Sequence, residues 1–364
     1  MSSSSDDPDA LPEADRVSGA PHPRHASRVI GQDHAIDDFL DAARAGRLHH
    51  AWLLTGPRGV GKATLAWAMA RWLLAGGDES GLSAPDDDPT VRRIRALSEP
   101  RLMLVRRPWD EKAKRLRADI TVEEIRKLLS FFHMSAAEGG HRVAIIDAAD
   151  EMNTAAANAL LKVLEEPPKG GIIIMVAHQP ARLLPTIRSR CRELRLTPLD
   201  HDDMAQVMAG VGVDAESDKL AELSGGSAGE ALRLLGQDGL AVYQQIVDLF
   251  ATLPRMDRPA ALKLAEQAGA RASGDGDPFD LTVTLLDRFL TRAARAGLMG
   301  APLVQAATGE AELLARIAPD DRAARHWAQA QAELSARARS GRAVNLDGSA
   351  LVLDMLTRLA HNSP

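Results

Sequence analysis

Cysteine is almost missing from this chain. The single residue, Cys191, excludes an intramolecular disulfide and any zinc site built from several cysteines, and it points to a reducing, cytoplasmic interior. Aromatic residues are scarce at 3%, so the core must be filled by aliphatic side chains and alanine, a composition that leans helical. No apolar run reaches the roughly 18 residues a membrane-spanning helix needs, and no membrane partner is expected. An excess of basic charge is also lacking. The formal net charge of −6 argues against a free-standing nucleic-acid binder while leaving room for local basic surface. The first 26 residues are polar, acidic and proline-rich with no apolar segment, which predicts a disordered tail and not a signal peptide. The length, 364 residues, is enough for two or three domains with full cores.

The most informative stretch is residues 51–67, AWLLTGPRGVGKATLAW. A short apolar run at 51–54 reads as a buried strand. It leads into a turn carrying Gly56, Gly59 and Gly61, then Lys62 and an apolar-periodic helix. Strand, glycine turn, lysine and helix start together make a phosphate cradle. The glycines let backbone N–H groups converge, the helix terminus adds positive potential and the lysine adds a point charge. The spacing from Gly56 to Lys62 fits the Walker A pattern, which requires Ser or Thr next to hold Mg²⁺; this chain has Ala63. Thr64 is a poor substitute, because one helical step turns its side chain roughly 100° away. A tight turn with a solvated lysine is the plainer alternative.

Three further unbroken apolar runs, at 102–105, 142–147 and 171–177, read as strands covered on both faces. Alternating with helical patterns, they predict a doubly wound parallel α/β core. The strand at 142–147 ends in Asp147, placed as a Walker B aspartate would be; an ordinary solvated strand-end Asp is the alternative. Where an active ATPase has a glutamate to orient the attacking water, this chain has Ala148, and Asp150 and Glu151 fall in the following turn. Thr121 to Glu124 predicts a capping box for the helix that follows. Asn153 caps the next helix, which Pro167 and Pro168 end. Glu165 and Glu166 lie at that helix's negative end, where carboxylates are disfavoured. Solvation and a cationic partner across an interface account for them equally well. In PTIRSRCR, Arg188, Arg190 and Arg192 alternate, so an extended segment would carry all three on one face. They fit an arginine finger or a solvated basic edge alike. The mixed stretch 106–119 holds six basic residues, but Asp110, Glu111 and Asp119 interrupt it, favouring a solvated loop over a DNA contact. Beyond about 198 the pattern turns helical.

Together these residues resemble the bacterial clamp-loader subunits of the AAA+ family. The matching strings are VIGQ at 29–32, RLHHAWLLTGPRGVGKATLA at 47–66, IIDAADEMNTAAANALLKVLEEPP at 145–168 and LLPTIRSRCRELRL at 183–196. The match runs over about residues 27–240, and AVNLDGSALVLDML at 343–356 is similar to the end of a family collar domain. The resemblance implies a P-loop AAA+ core at 27–198, a helical lid at 199–240 and an all-α collar at 241–364. A motor subunit of the family (tau/gamma) would carry a hydroxyl at 63, Glu at 148 and a sensor arginine near 229, where this chain has Ala63, Ala148 and Gly229. The resemblance therefore implies a non-catalytic stator of the DNA polymerase III holoenzyme. It would supply Arg190 in trans to a motor's ATP, joined to tau/gamma and delta subunits in a hetero-oligomeric ring. Primer-template DNA and the sliding clamp would be reached through the assembly. No cofactor is required; weak ATP or ADP binding at Gly56, Gly59, Gly61, Lys62 and Asp147 without turnover, or a blocked pocket, fits the sequence equally. No metal is expected. Family members often insert a four-cysteine zinc module after the glycine-loop helix, but residues 76–100 contain no cysteine. An active clamp-loader ATPase and a free-standing nucleotide-dependent DNA-binding module are the alternatives.

Overall fold

A computed structural model of the chain describes residues 13, 16, 17, 20–77, 81–133, 140–213, 217–271 and 276–361. The chain divides into two compact units, Met1–Val207 with Ser227–Gly229, and Met208–Gly226 with Glu230–Pro364. Among the described residues, no helix is long and apolar enough to cross a membrane.

The first unit is built on a five-stranded sheet. Its strands are β1 (Ala51–Thr55), β2 (Leu102–Val105), β3 (Arg142–Asp147), β4 (Gly171–Val176) and β5 (Arg192–Arg195), in the spatial order β2-β3-β4-β1-β5. Every neighbouring pair is parallel. Helices α1 (Asp33–Arg44), α2 (Lys62–Ala75), α3 (Pro89–Arg95), α4 (Val122–His133) and α5 (Thr154–Glu165) cover it. Two separate cores explain why the strands read as unbroken apolar runs. Trp52 and Leu54 pack on one face with Phe39, Leu65 and Trp67, while Ala51 and Leu53 pack on the other with Leu128 and Leu160. The doubly wound α/β core expected from the sequence is present.

Three local expectations are corrected. First, α6 (Pro185–Arg188) is helical, opened by a proline whose fixed φ suits the first helical position, and β5 begins only at Arg192. Arg188, Arg190 and Arg192 therefore do not share one extended face. Second, the basic stretch 106–119 is not simply a loop. It folds into a short antiparallel hairpin, Trp109–Asp110 against Arg115–Leu116. Arg107 there pairs with Glu151 at 2.7 Å and Arg117 with Asp110 at 3.4 Å. Third, the segment expected as a tail to residue 26 is anchored over its last part. Ala20 and His22 are buried, and His22 meets the Trp67 ring edge-on at 5.7 Å. Arg71, on the covered face of α2, needs carbonyl acceptors and donates to Arg24 O at 3.1 Å and Ala26 O at 2.7 Å. Most of residues 1–19 lie outside the described residues.

Helix α7 (His201–Gly210) runs across the division between the units, and α9 (Ala228–Gly236) starts in the first unit and continues in the second. Among its described residues the second unit is built of helices: α8 (Ser217–Ser224), α10 (Gly239–Ala251), α11 (Arg258–Ala268), α12 (Pro278–Met299), α13 (Glu310–Ile317), α14 (Asp321–Ala343) and α15 (Gly348–His361). The long α12 is its centre, with Phe289 against Phe250 at 4.5 Å. Helix α14 approaches so closely at Gly297 that a Cβ there would lie 2.9 Å from Ala324 Cβ. A charged cluster is buried beside α12. Glu310, fully buried, accepts from Arg292 Nε at 2.6 Å, Tyr243 Oη at 2.6 Å and the Ala306 amide at 2.7 Å. Arg292 also pairs with Glu222.

Candidate functional site

Strand β1 delivers the chain into the glycine turn, and α2 starts at Lys62 itself. Gly56 has φ +135°, and a Cβ there would fall 2.4 Å from Leu196 O; Gly59 and Gly61 also take positive φ. No other residue type fits such a turn without strain. Gln32, from the VIGQ string, fastens the turn to the end of β5: its amide donates to Val60 O at 3.2 Å and Thr197 O at 2.8 Å and accepts from the Thr197 amide at 3.2 Å.

Lys62 is buried, and its ammonium turns back on the loop, donating to Gly56 O at 2.7 Å and Pro57 O at 2.5 Å. Burial lowers its pKa to about 8 against the opposing pull of Asp147 and Asp150. A second set of contacts closes the loop from outside. Ser227 Oγ donates to Arg58 O at 2.8 Å, and the Gly229 amide donates to Gly59 O at 3.0 Å. The backbones meet so closely that a Cβ on Gly229 would lie 2.9 Å from Gly59 Cα. Position 229 is thus a glycine whose backbone closes against the turn.

Gly56, Gly59, Gly61, Lys62 and Asp147 lie at the C-terminal ends of β1 and β3, close enough for the Asp147 charge to act on Lys62. Asp147 is buried at the end of β3, and the next side chain, Ala148, offers no carboxylate; nor does Ala63 offer a hydroxyl. Asp150, in the turn after β3, is a buried brace. Its two oxygens each accept at 2.9 Å, from the His178 and Gln179 amides after β4. Burial, then the nearby Lys62 and Arg58 charges, push the His178 pKa down to about 4, so the ring is neutral at physiological pH. Glu151 pairs with Arg107 at 2.7 Å and Arg58 at 3.6 Å. Sequence reasoning missed the roles of Gln32, Arg58, Asp150, His178 and Ser227. The only local cue was the serine before a helix, a capping signal that says nothing about the loop it reaches.

Arg190 lies elsewhere. In the parallel register Arg192 is level with Trp52 and Arg195 with Thr55, so the residues before β5 lie at the sheet edge where β1 begins. The glycine turn follows the other end of β1, and the paired strands alone span roughly 10 Å. Arg190 Nη2 pairs with Glu165 Oε1 at 2.9 Å, and Nη1 donates to Thr186 O at 3.0 Å. The cationic partner for the end of α5 is therefore found within the chain. Arg192 instead lies over the Trp52 ring at 5.1 Å, and Arg188 is exposed.

The chain is similar to known proteins over part of its length. Residues 31–200 match the family model described as DNA polymerase III, delta subunit. DNA polymerase III subunit delta' of Pseudomonas aeruginosa is 35% identical over 204 residues, covering 55% of this chain and 60% of that protein. DNA polymerase III subunit gamma/tau of Mycobacterium tuberculosis is 30% identical over 312 residues, covering 77% of this chain and 52% of that one. The chain thus spans between half and two thirds of the length of these relatives. A solved gamma-subunit-related protein of Thermotoga maritima is 16% identical with a TM-score of 0.42, covering 90% of this chain and 100% of that one.

Proposed function

We propose that this chain is a clamp-loader AAA+ protein of the DNA polymerase III delta-prime kind and that it is a stator: a subunit that organises a loader ring without splitting ATP itself and lends Arg190 to a neighbouring motor's nucleotide. The observation that carries this reading is a glycine turn whose carbonyls are satisfied within the chain, beside Ala63 and Ala148. Lys62 and the Gly229 amide occupy loop carbonyls, and Ser227 caps the turn at Arg58. Triphosphate would have to draw Lys62 away from its two loop carbonyls, and it would find neither a hydroxyl at 63 to hold Mg²⁺ nor a carboxylate at 148 to orient water. The residues present do not fit a Mg-nucleotide poised for hydrolysis.

Arg190 supports the second half of the proposal. Lying at the opposite sheet edge from Lys62, it cannot serve its own chain's loop, whereas a guanidinium held at a surface edge suits phosphate oxygens across a subunit interface. The partners on this reading are tau/gamma and delta subunits, with primer-template DNA and the sliding clamp met through the ring.

The test uses the isolated chain and then the assembly. Equilibrium dialysis against Mg-ATP is expected to give no saturable binding in the micromolar range, and purified chain with primed DNA is expected to release no phosphate. Mixed with candidate motor and delta subunits, it is expected to enter a complex of defined mass. Steady turnover by the chain alone, or absence from every such complex, would overturn the proposal.

A further inference from the structure

We propose that Glu165 is a positioning residue for Arg190, holding the guanidinium in place at the sheet edge so that a neighbouring subunit's phosphate meets it already oriented. The inference rests on the reading of Arg190 as a group acting in trans, and it adds the residue that sets its geometry.

Arg190 is held at two points from two elements. Nη1 is tied to the Thr186 carbonyl in α6, and Nη2 to the Glu165 carboxylate at the end of α5. A guanidinium has five N–H donors in a fixed plane, so these contacts leave three for an incoming phosphate. Both side chains remain partly exposed, 37% for Arg190 and 51% for Glu165, so the pair is open to a partner. An arginine ordered beforehand loses less rotamer freedom on engagement than one that must be ordered then, and its rate contribution rises accordingly. The support is itself rigid. Asn153 caps the start of α5 through the Ala156 amide at 2.9 Å, and His50 Nε2, just before β1, lies 3.2 Å from Leu164 O at its end. Helix stability does not explain a carboxylate at that position, because the helix dipole disfavours it. Serving as the acceptor that aims Arg190 does.

The test is single-turnover ATP hydrolysis by a loader reconstituted with motor and delta subunits, with variants in this chain only. Glu165→Ala is expected to slow the step by about 3- to 10-fold, the loss expected when a long side chain must be ordered anew, with the KM for ATP unchanged. Glu165→Gln keeps an acceptor oxygen and is expected to retain most of the rate. Glu165→Ala combined with Arg190→Ala is expected to be no slower than Arg190→Ala alone. A Glu165→Ala loader as fast as the parent, beside a slowed Arg190→Ala loader, would overturn the positioning role and leave the trans reading standing. Further slowing in the double variant would also overturn it, by showing an independent route. An Arg190→Ala loader of parental rate would instead remove the trans reading and this inference with it.

Discussion

Replacing Arg190 with alanine is expected to slow ATP hydrolysis at the adjacent motor site by about 10³-fold or more, the usual worth of an arginine that meets developing phosphate charge. The fold should hardly notice. The residue's ion pair with Glu165 is half-exposed, and such pairs contribute about 0.2–1 kcal/mol. Its other contact, to Thr186 O, lies at the surface. Thermal melting of the variant should therefore overlay the parent, and the mass of the reconstituted complex should be unchanged. Arg190→Lys keeps the charge but loses the planar fork, and only a small part of the lost rate should return. Single-turnover kinetics on the assembled loader make the comparison; equal rates for parent and Arg190→Ala would remove the trans role.

The largest stability effect is expected in the helical unit, at Glu310. Its carboxylate is fully buried and accepts from Arg292, Tyr243 and the Ala306 amide. Burial together with the Glu310 charge holds the Tyr243 phenol well above its ordinary pKa, so it stays a donor at any physiological pH. Glu310→Ala leaves the buried Arg292 with Glu222 as its remaining ion-pair partner and strips two other donors of their acceptor. Removing one partner of a buried pair costs about 3–5 kcal/mol. That corresponds to a fall of roughly 10 °C in the melting of a unit this size. The double variant Glu310→Leu, Arg292→Met removes both charges and should recover much of the loss. Urea denaturation followed by circular dichroism reads both; a single-variant loss under about 1 kcal/mol would show that the cluster is not the support described here.

Much of this was legible in the sequence, and the exceptions share a cause. Four strands stood out as unbroken apolar runs, three of them buried on both faces and β2 half-buried. Strand β5 did not, because within it only Leu194 turns into the core and its charged neighbours mask the pattern. Helix α14 escaped for a related reason. Only Trp327 and Leu334 are large among its buried residues, seven positions apart, and the rest are Ala323, Ala324, Ser335, Ala338 and Gly341, which leave a weak apolar stripe to read. At the candidate site, the glycines, Lys62 and Asp147 were visible because the chemistry fixes their spacing. The closure of the turn was not, since Ser227 reaches Arg58 across 169 residues of sequence. The pairing of Arg190 with Glu165 was likewise hidden. Each was recognised as unusual, but only the parallel register brings the end of α5 and the start of β5 to one edge.

The most direct test of the central claim is ATP hydrolysis by a reconstituted loader in which Lys62→Ala is introduced in this chain alone. Its ammonium is already engaged by Gly56 O and Pro57 O, so loading and hydrolysis rates within about twofold of the parent are expected. A collapse of hydrolysis matching that of a motor subunit stripped of its own loop lysine would contradict the reading, because it would mean that this chain's glycine turn holds a nucleotide the cycle needs.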